Sequence, residues 1–184
     1  MVQEKYKLFY LCLAPVCLVC SLLGQVREGS AAEGIIRADG RYFVDGNSEP
    51  FIVVGQNEGL CWPPALAKLW TSPQDEAITS IQNYFKYLRE YGVNTIRLFA
   101  EYPAENVYLY KADGGWADEN WKRLELIFYL ADQCDIYILL GPWDPFWTEK
   151  KWDVCPLNKK NGGPLEGIKE FYTSPQGRRF QRKY

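Results

Sequence analysis

Gly92-Val93-Asn94-Thr95-Ile96-Arg97-Leu98-Phe99 reads as a short strand entered through a glycine, and the other elements are arranged around it. A glycine opens it, and Val, Thr, Ile and Phe suit a pleated, buried surface. The spacing predicts a short strand over residues 93–99. Arg97 stands near its far end. A guanidinium cannot shed its charge, so burying it without an anion is costly. A buried Arg97 therefore predicts a carboxylate opposite it.

Upstream of this strand, Ser72-Pro73 followed by Asp75 forms an N-cap, first-turn proline and capping-box pattern. Ile78, Ile81, Phe85 and Leu88 recur three or four apart, which predicts one apolar helical stripe ending at Gly92. Before it, Phe51-Ile52-Val53-Val54 is apolar on both faces, as a strand inside a parallel sheet should be. It runs into the polar loop Gly55-Gln56-Asn57-Glu58-Gly59. Earlier still, Asp39-Gly40 and Asp45-Gly46 flank Arg41-Tyr42-Phe43-Val44 and predict a small hairpin.

Downstream, a loop through Pro103 and Gly114-Gly115 leads to a helix opening at Asp118, with Trp121, Leu124, Phe128 and Ala131 as its stripe. Ile136-Tyr137-Ile138-Leu139-Leu140 reads as a third buried strand. A Trp-, Gly- and Pro-rich loop then runs to Thr173, and Ser174-Pro175 opens a last helix. Strand, helix, strand, helix, strand, helix predicts an α/β fold of parallel strands joined by right-handed crossovers. Eight such units would close a (β/α)8 barrel with its site at the strand C-termini; three make only part of one.

The 184 residues are enough for one ordinary domain with its own core. Histidine is absent, which removes imidazole bases, Ser-His triads and zinc-histidine sites. A formal charge of -2 gives no basic field for nucleic acid. No phosphate-binding or dinucleotide fingerprint occurs, and no cofactor or metal is expected. Lys5 and Lys7 precede an apolar run over 8–23, and Ser30-Ala31-Ala32 supplies a cleavage pattern. Residues 1–32 are read as a signal peptide and 33–184 as the incomplete barrel domain. The expected location is secreted, periplasmic or extracellular; the alternative is a retained N-terminal membrane anchor. Cys12, Cys17 and Cys20 leave with that leader. Cys61, Cys134 and Cys155 remain, so at most one internal bridge forms. Cys61 and Cys155 both follow predicted strands and are the pair expected to meet, with Cys134 a buried thiol.

Gly55-Gln56-Asn57 after the first strand, Gly92-Val93-Asn94-Thr95-Ile96-Arg97 as the second and Asp135-Ile136-Tyr137-Ile138-Leu139-Leu140 as the third resemble the N-terminal part of glycoside hydrolase family 5. This is the cellulase and β-mannanase family. The leading hairpin resembles the segment that plugs the bottom of its barrels. Gly162-Gly163-Pro164 and Glu170-Phe171-Tyr172 resemble the approach to its fourth strand. The resemblance covers roughly residues 35–184. It implies an exported retaining hydrolase of β-linked glucan or mannan, with two glutamates about 5 Å apart across the scissile bond. Both glutamates of the family pattern fall beyond Tyr184, so no catalytic residue is expected within this chain and it is expected to be inactive alone. Arg97 matches the family arginine that holds the nucleophile ionised. Where the family often has a histidine after strand three, this sequence has Trp143-Asp144. Two other readings stand beside this one. The chain is a non-catalytic carbohydrate-binding fragment, or a truncated gene product without function.

A pyranose offers an apolar C–H face for flat aromatics and a rim of hydroxyls for Asn, Asp and Glu. Trp62, Trp143, Trp147 and Trp152 all fall in loops after strands. Trp62, Trp143 and Trp147, with Asn57 and Asp144, are the candidate substrate contacts. The bland alternatives are loop packing for the tryptophans and turn shaping for Asn57. Glu58, Glu101 and Asp144 each follow a strand and are expected to project at one face. A pair of them would have the chemistry of an acid and base, but they are read here as loop carboxylates that hydrogen-bond or face solvent. Trp70, Trp116 and Trp121 are read as structural.

Overall fold

The computed structural model describes residues 34–101 and 107–182. The predicted leader at 1–32, with Cys12, Cys17 and Cys20, and Pro103 of the following loop lie outside the described residues. By its internal contacts the chain divides into two units, Met1–Pro50 and Phe51–Tyr184.

The first unit holds the predicted hairpin. β1 (Arg37–Asp39) pairs antiparallel with β2 (Tyr42–Val44), Asp39 facing Tyr42 across the turn. Gly40 turns the chain with φ 59°, a left-handed conformation that a residue without Cβ adopts at no steric cost. Asp45 closes the next turn, its Oδ1 accepting from the backbone N–H of Asn47 and Glu49. The two-residue β3 (Pro50–Phe51) falls on the boundary between the units.

The second unit is α/β. Its sheet has the order β4 (Gly55–Gly59), β5 (Thr95–Phe99), β6 (Tyr137–Gly141), all parallel. α1 (Pro64–Thr71) and α2 (Gln74–Glu90) connect the first two strands. α3 (Asp118–Asp132) connects the second pair. α4 (Pro145–Lys150), α5 (Ile168–Thr173) and α6 (Pro175–Gln181) follow β6, with 3-10 turns at Trp152–Val154 and Lys159–Asn161. The main core lies between the sheet and α2 and α3. Ile96 and Leu98 of β5 are buried there with Ile81, Phe85, Leu88, Leu124, Ile127 and Leu130. Alternate residues of a strand point to opposite faces, so Arg97 belongs to the other face.

Several expectations change. The run at 52–54 is exposed and lies outside the sheet; the first strand begins at Gly55. Asn94 is the reason. Its Oδ1 accepts from Val54 N–H and its Nδ2 donates to Ile52 O, so a side chain takes backbone groups that a ladder would use. Ser72 caps the C-terminal end of α1 rather than starting α2, its N–H donating to Lys68 O, and α1 itself carried no predicted stripe. The stripe of α3 is rotated: Leu124, Ile127, Leu130 and Ala131 are buried, whereas Phe128 is exposed. β6 is not buried on both faces. As an edge strand with one covered side it leaves Leu139 at 58% and Leu140 at 41% exposure. The helix at Ser174 is as expected, with Ser174 Oγ accepting from Gly177 N–H.

Candidate functional site

The C-terminal ends of β4, β5 and β6 collect the polar residues singled out above. On the bare face of the sheet, Asn57, Arg97 and Leu139 stand side by side in register, and all three are exposed. This corrects the expectation of a buried Arg97. Its guanidinium carbon lies 4.5 Å from the Phe99 ring centroid, in cation–π contact. The ion pairs between described residues, Lys68–Glu76, Lys122–Glu119 and Lys159–Glu166, do not include it. No carboxylate among the described residues neutralises it. Exposure is the reason none is needed: water solvates a guanidinium well.

Of the three carboxylates expected to follow strands, Glu58 lies within β4 and Glu101 and Asp144 follow β5 and β6, and none is solvent-facing: Glu58 is 2%, Glu101 0% and Asp144 7% exposed. They do not project at one face. Glu58 lies in register with Leu98, on the side that α2 covers. Its Oε1 accepts from Tyr84 Oη of α2 and from Gln56 Nε2, while Oε2 is buried without a partner. Burial raises its pKa against these two donors, which lower it. Tyr84 is raised in turn by burial and by Glu58.

Glu101 accepts from Tyr110 Oη at 3.5 Å, and that hydroxyl is also 3.7 Å from Cys155 Sγ. These groups border a second apolar cluster of Tyr108, Tyr110, Cys155, Leu157, Leu165 and Phe171, built by the segments that follow β5 and β6. Burial pushes the Cys155 thiol up. Tyr108 is raised by burial and then by Cys155 and Glu101, and its hydroxyl has no partner among the described residues.

The candidate aromatics separate. Trp62 is 53% exposed and offers a flat face to solvent. Trp143 is wedged against the second cluster, 5.6 Å from the Tyr110 ring and 4.7 Å edge-on to Phe171, so packing is its main role. Trp147 sits in α4, and its side chain lies outside the described residues. Asp144 starts the same turn, its backbone carbonyl accepting from Thr148 N and Oγ1. The expected Cys61–Cys155 bridge is absent: Cys61, Cys134 and Cys155 are buried thiols, and no disulfide joins any two of them. Cys61 packs in the main core and Cys155 in the second cluster, so the two are sequestered separately. Trp70 and Trp121 are structural, donating their indole N–H to Asn120 Oδ1 and Leu109 O.

Gln56, Tyr84, Tyr108 and Tyr110 were not foreseen. For Gln56 and Glu58 a signal existed. Two polar residues two apart in a strand share one face, and that face meets the apolar Ile96 and Leu98. Among the described residues no group of three or more Cys, Asp or Glu is placed to hold a metal, and no helix is long and apolar enough to cross a membrane. The chain matches no protein-family model and no curated protein.

Proposed function

We propose that the second unit forms the opening β/α units of a (β/α)8 barrel of the glycoside hydrolase family 5 type. The whole enzyme in this reading is an exported, retaining hydrolase of β-linked glucan or mannan. The observation that carries it is the bare sheet face, where Arg97 stands beside Asn57 midway along the strands with no ion-pair partner among the described residues. In a closed barrel that face is the interior, and a guanidinium there favours the ionised form of an incoming carboxylate. A nucleophilic glutamate needs that charged form. The catalytic glutamate pair is then supplied by sequence outside this chain, and Asn57 and Trp62 contact sugar. The test has two arms. The 184-residue chain is assayed on β-1,4-glucan and β-mannan, and the coding sequence after codon 184 is read. No turnover and a downstream apolar strand ending in Asn-Glu are expected. Clear turnover by this chain alone would overturn the placement of the glutamates.

A second reading, a non-catalytic sugar-binding fragment, is favoured by the exposed indole of Trp62. It is distinguished by sugar-dependent quenching of tryptophan fluorescence without hydrolysis, lost in Trp62→Ala.

A further inference from the structure

Glu58 poses a separate problem, independent of any sugar chemistry. It is almost wholly buried, and among the described residues one of its two oxygens meets no donor. The groups around it are few. From its own strand comes the Gln56 amide, and from α2 the Tyr84 phenol, both directed at Oε1. The same Gln56 nitrogen also donates to Tyr84 Oη, so the three side chains form a closed ring. From β5 the neighbour in register is Leu98, which carries no charge. Arg97, the nearest cation along β5, belongs to the opposite face of the sheet. Among the described residues no Lys or Arg contributes to the environment of Glu58, and Tyr84 is the titratable group that does.

An ionised carboxylate in this place would carry charge on Oε2 with neither water nor a donor to stabilise it. Isolated buried charge is far costlier than a buried neutral hydroxyl lacking one bond. The neutral acid also keeps Oε1 as a carbonyl oxygen that accepts both donors. We propose that Glu58 is stored as the protonated acid, pinning α2 to β4, and that its ionisation at higher pH loosens this contact. The ring is thus a proton-operated latch between a strand and the helix that covers it. The direction of the shift at Glu58, upward through burial, agrees.

The readout is the carboxyl carbon of Glu58 in the full 184-residue chain, followed by NMR with 13C-labelled glutamate and assigned by its loss in Glu58→Gln. The expected result is a protonated-carboxyl signal that persists above the ordinary value of 4.5. Tyr84→Phe removes a donor that favours the charged form, so the midpoint should move further up. Amide protection factors in α2, with the intrinsic base-catalysed rate divided out, should fall over the same pH range in the wild type and stay flat in Glu58→Gln. Titration of Glu58 together with the exposed glutamates would overturn the proposal. So would a downward shift in Tyr84→Phe, or pH-independent protection of α2 in the wild type. If Glu58→Gln does not fold, comparison of the wild type with Tyr84→Phe still decides the matter.

Discussion

The two faces of one sheet behave as different materials. On the covered face, Ile96 and Leu98 are fully buried against α2 and α3, and the polar Glu58 is tied to Tyr84. On the bare face, Asn57, Arg97 and Leu139 occupy the intervening positions and meet solvent. The backbone and the hydrogen-bonded register are shared; only the residue parity differs. The difference shows which half of the sequence is self-sufficient. The α2 and α3 stripes suffice to make a core on one side, while the apolar residues of β6 remain partly uncovered.

Truncation on the covered face should have the largest effect. Phe85→Ala removes a fully buried ring from the main core and is expected to cost about 3–5 kcal/mol. Leu139→Ala, a truncation of half as many carbons on the bare face, is expected to stay within about 0.5 kcal/mol. Urea unfolding of both variants checks the contrast, and comparable losses would break it. Next in size is Gly55→Ala, at the start of β4. A Cβ there would lie 2.4 Å from the Thr95 carbonyl oxygen, so the two strands must move apart. A destabilisation of about 1–3 kcal/mol is expected from that overpacking, read by the same unfolding curves.

The covered face should also be the pH-sensitive one. The folded-state pKa of Glu58 lies above its ordinary value of 4.5. The folded state therefore holds this proton more tightly than the unfolded chain. The stability gained is complete below the ordinary value and is lost as pH rises through the raised one. Thermal melts of the wild type should fall across that window, and those of Glu58→Gln should not. A tenfold tighter hold on the proton in the folded chain is worth about 1.4 kcal/mol.

Much of this arrangement was legible beforehand, for physical reasons that can be named. The stripe Ile81, Phe85, Leu88 and the strand at 95–99 follow from periodicity, and parallel order follows from their alternation. The clamp by Asn94 on residues 52–54 was not legible, because a side chain competing for backbone groups across 40 residues leaves no local pattern. The buried Arg97 was inferred from its apolar neighbours along the chain. Parity, not neighbourhood, assigns a strand residue to its face, and parity placed it on the side without helices. The second cluster was equally hidden. Tyr108, Cys155 and Phe171 are far apart in sequence, and no period links them. Tyr108→Phe probes that cluster. It removes a buried hydroxyl that bonds to nothing, so stability should be unchanged or rise by up to about 1 kcal/mol.

The smallest effect should come from Arg97 itself, and it sharpens the comparison most. Arg97→Met keeps the aliphatic stem and removes the charge and the contact with Phe99. An arginine paired inside a core would cost about 3–5 kcal/mol to strip of its partner. On an open face the guanidinium is solvated in both the folded and the unfolded chain, so the change should lie within about 0.5 kcal/mol. The same substitution in a chain extended past codon 184 should behave differently. If the proposed barrel closes there, it encloses the bare face, and Arg97→Met should depress turnover far more than it depresses the midpoint of unfolding. An arginine indifferent to stability in this chain and essential to catalysis in an extended one is the outcome the proposed barrel reading requires, and equal effects in both would count against it.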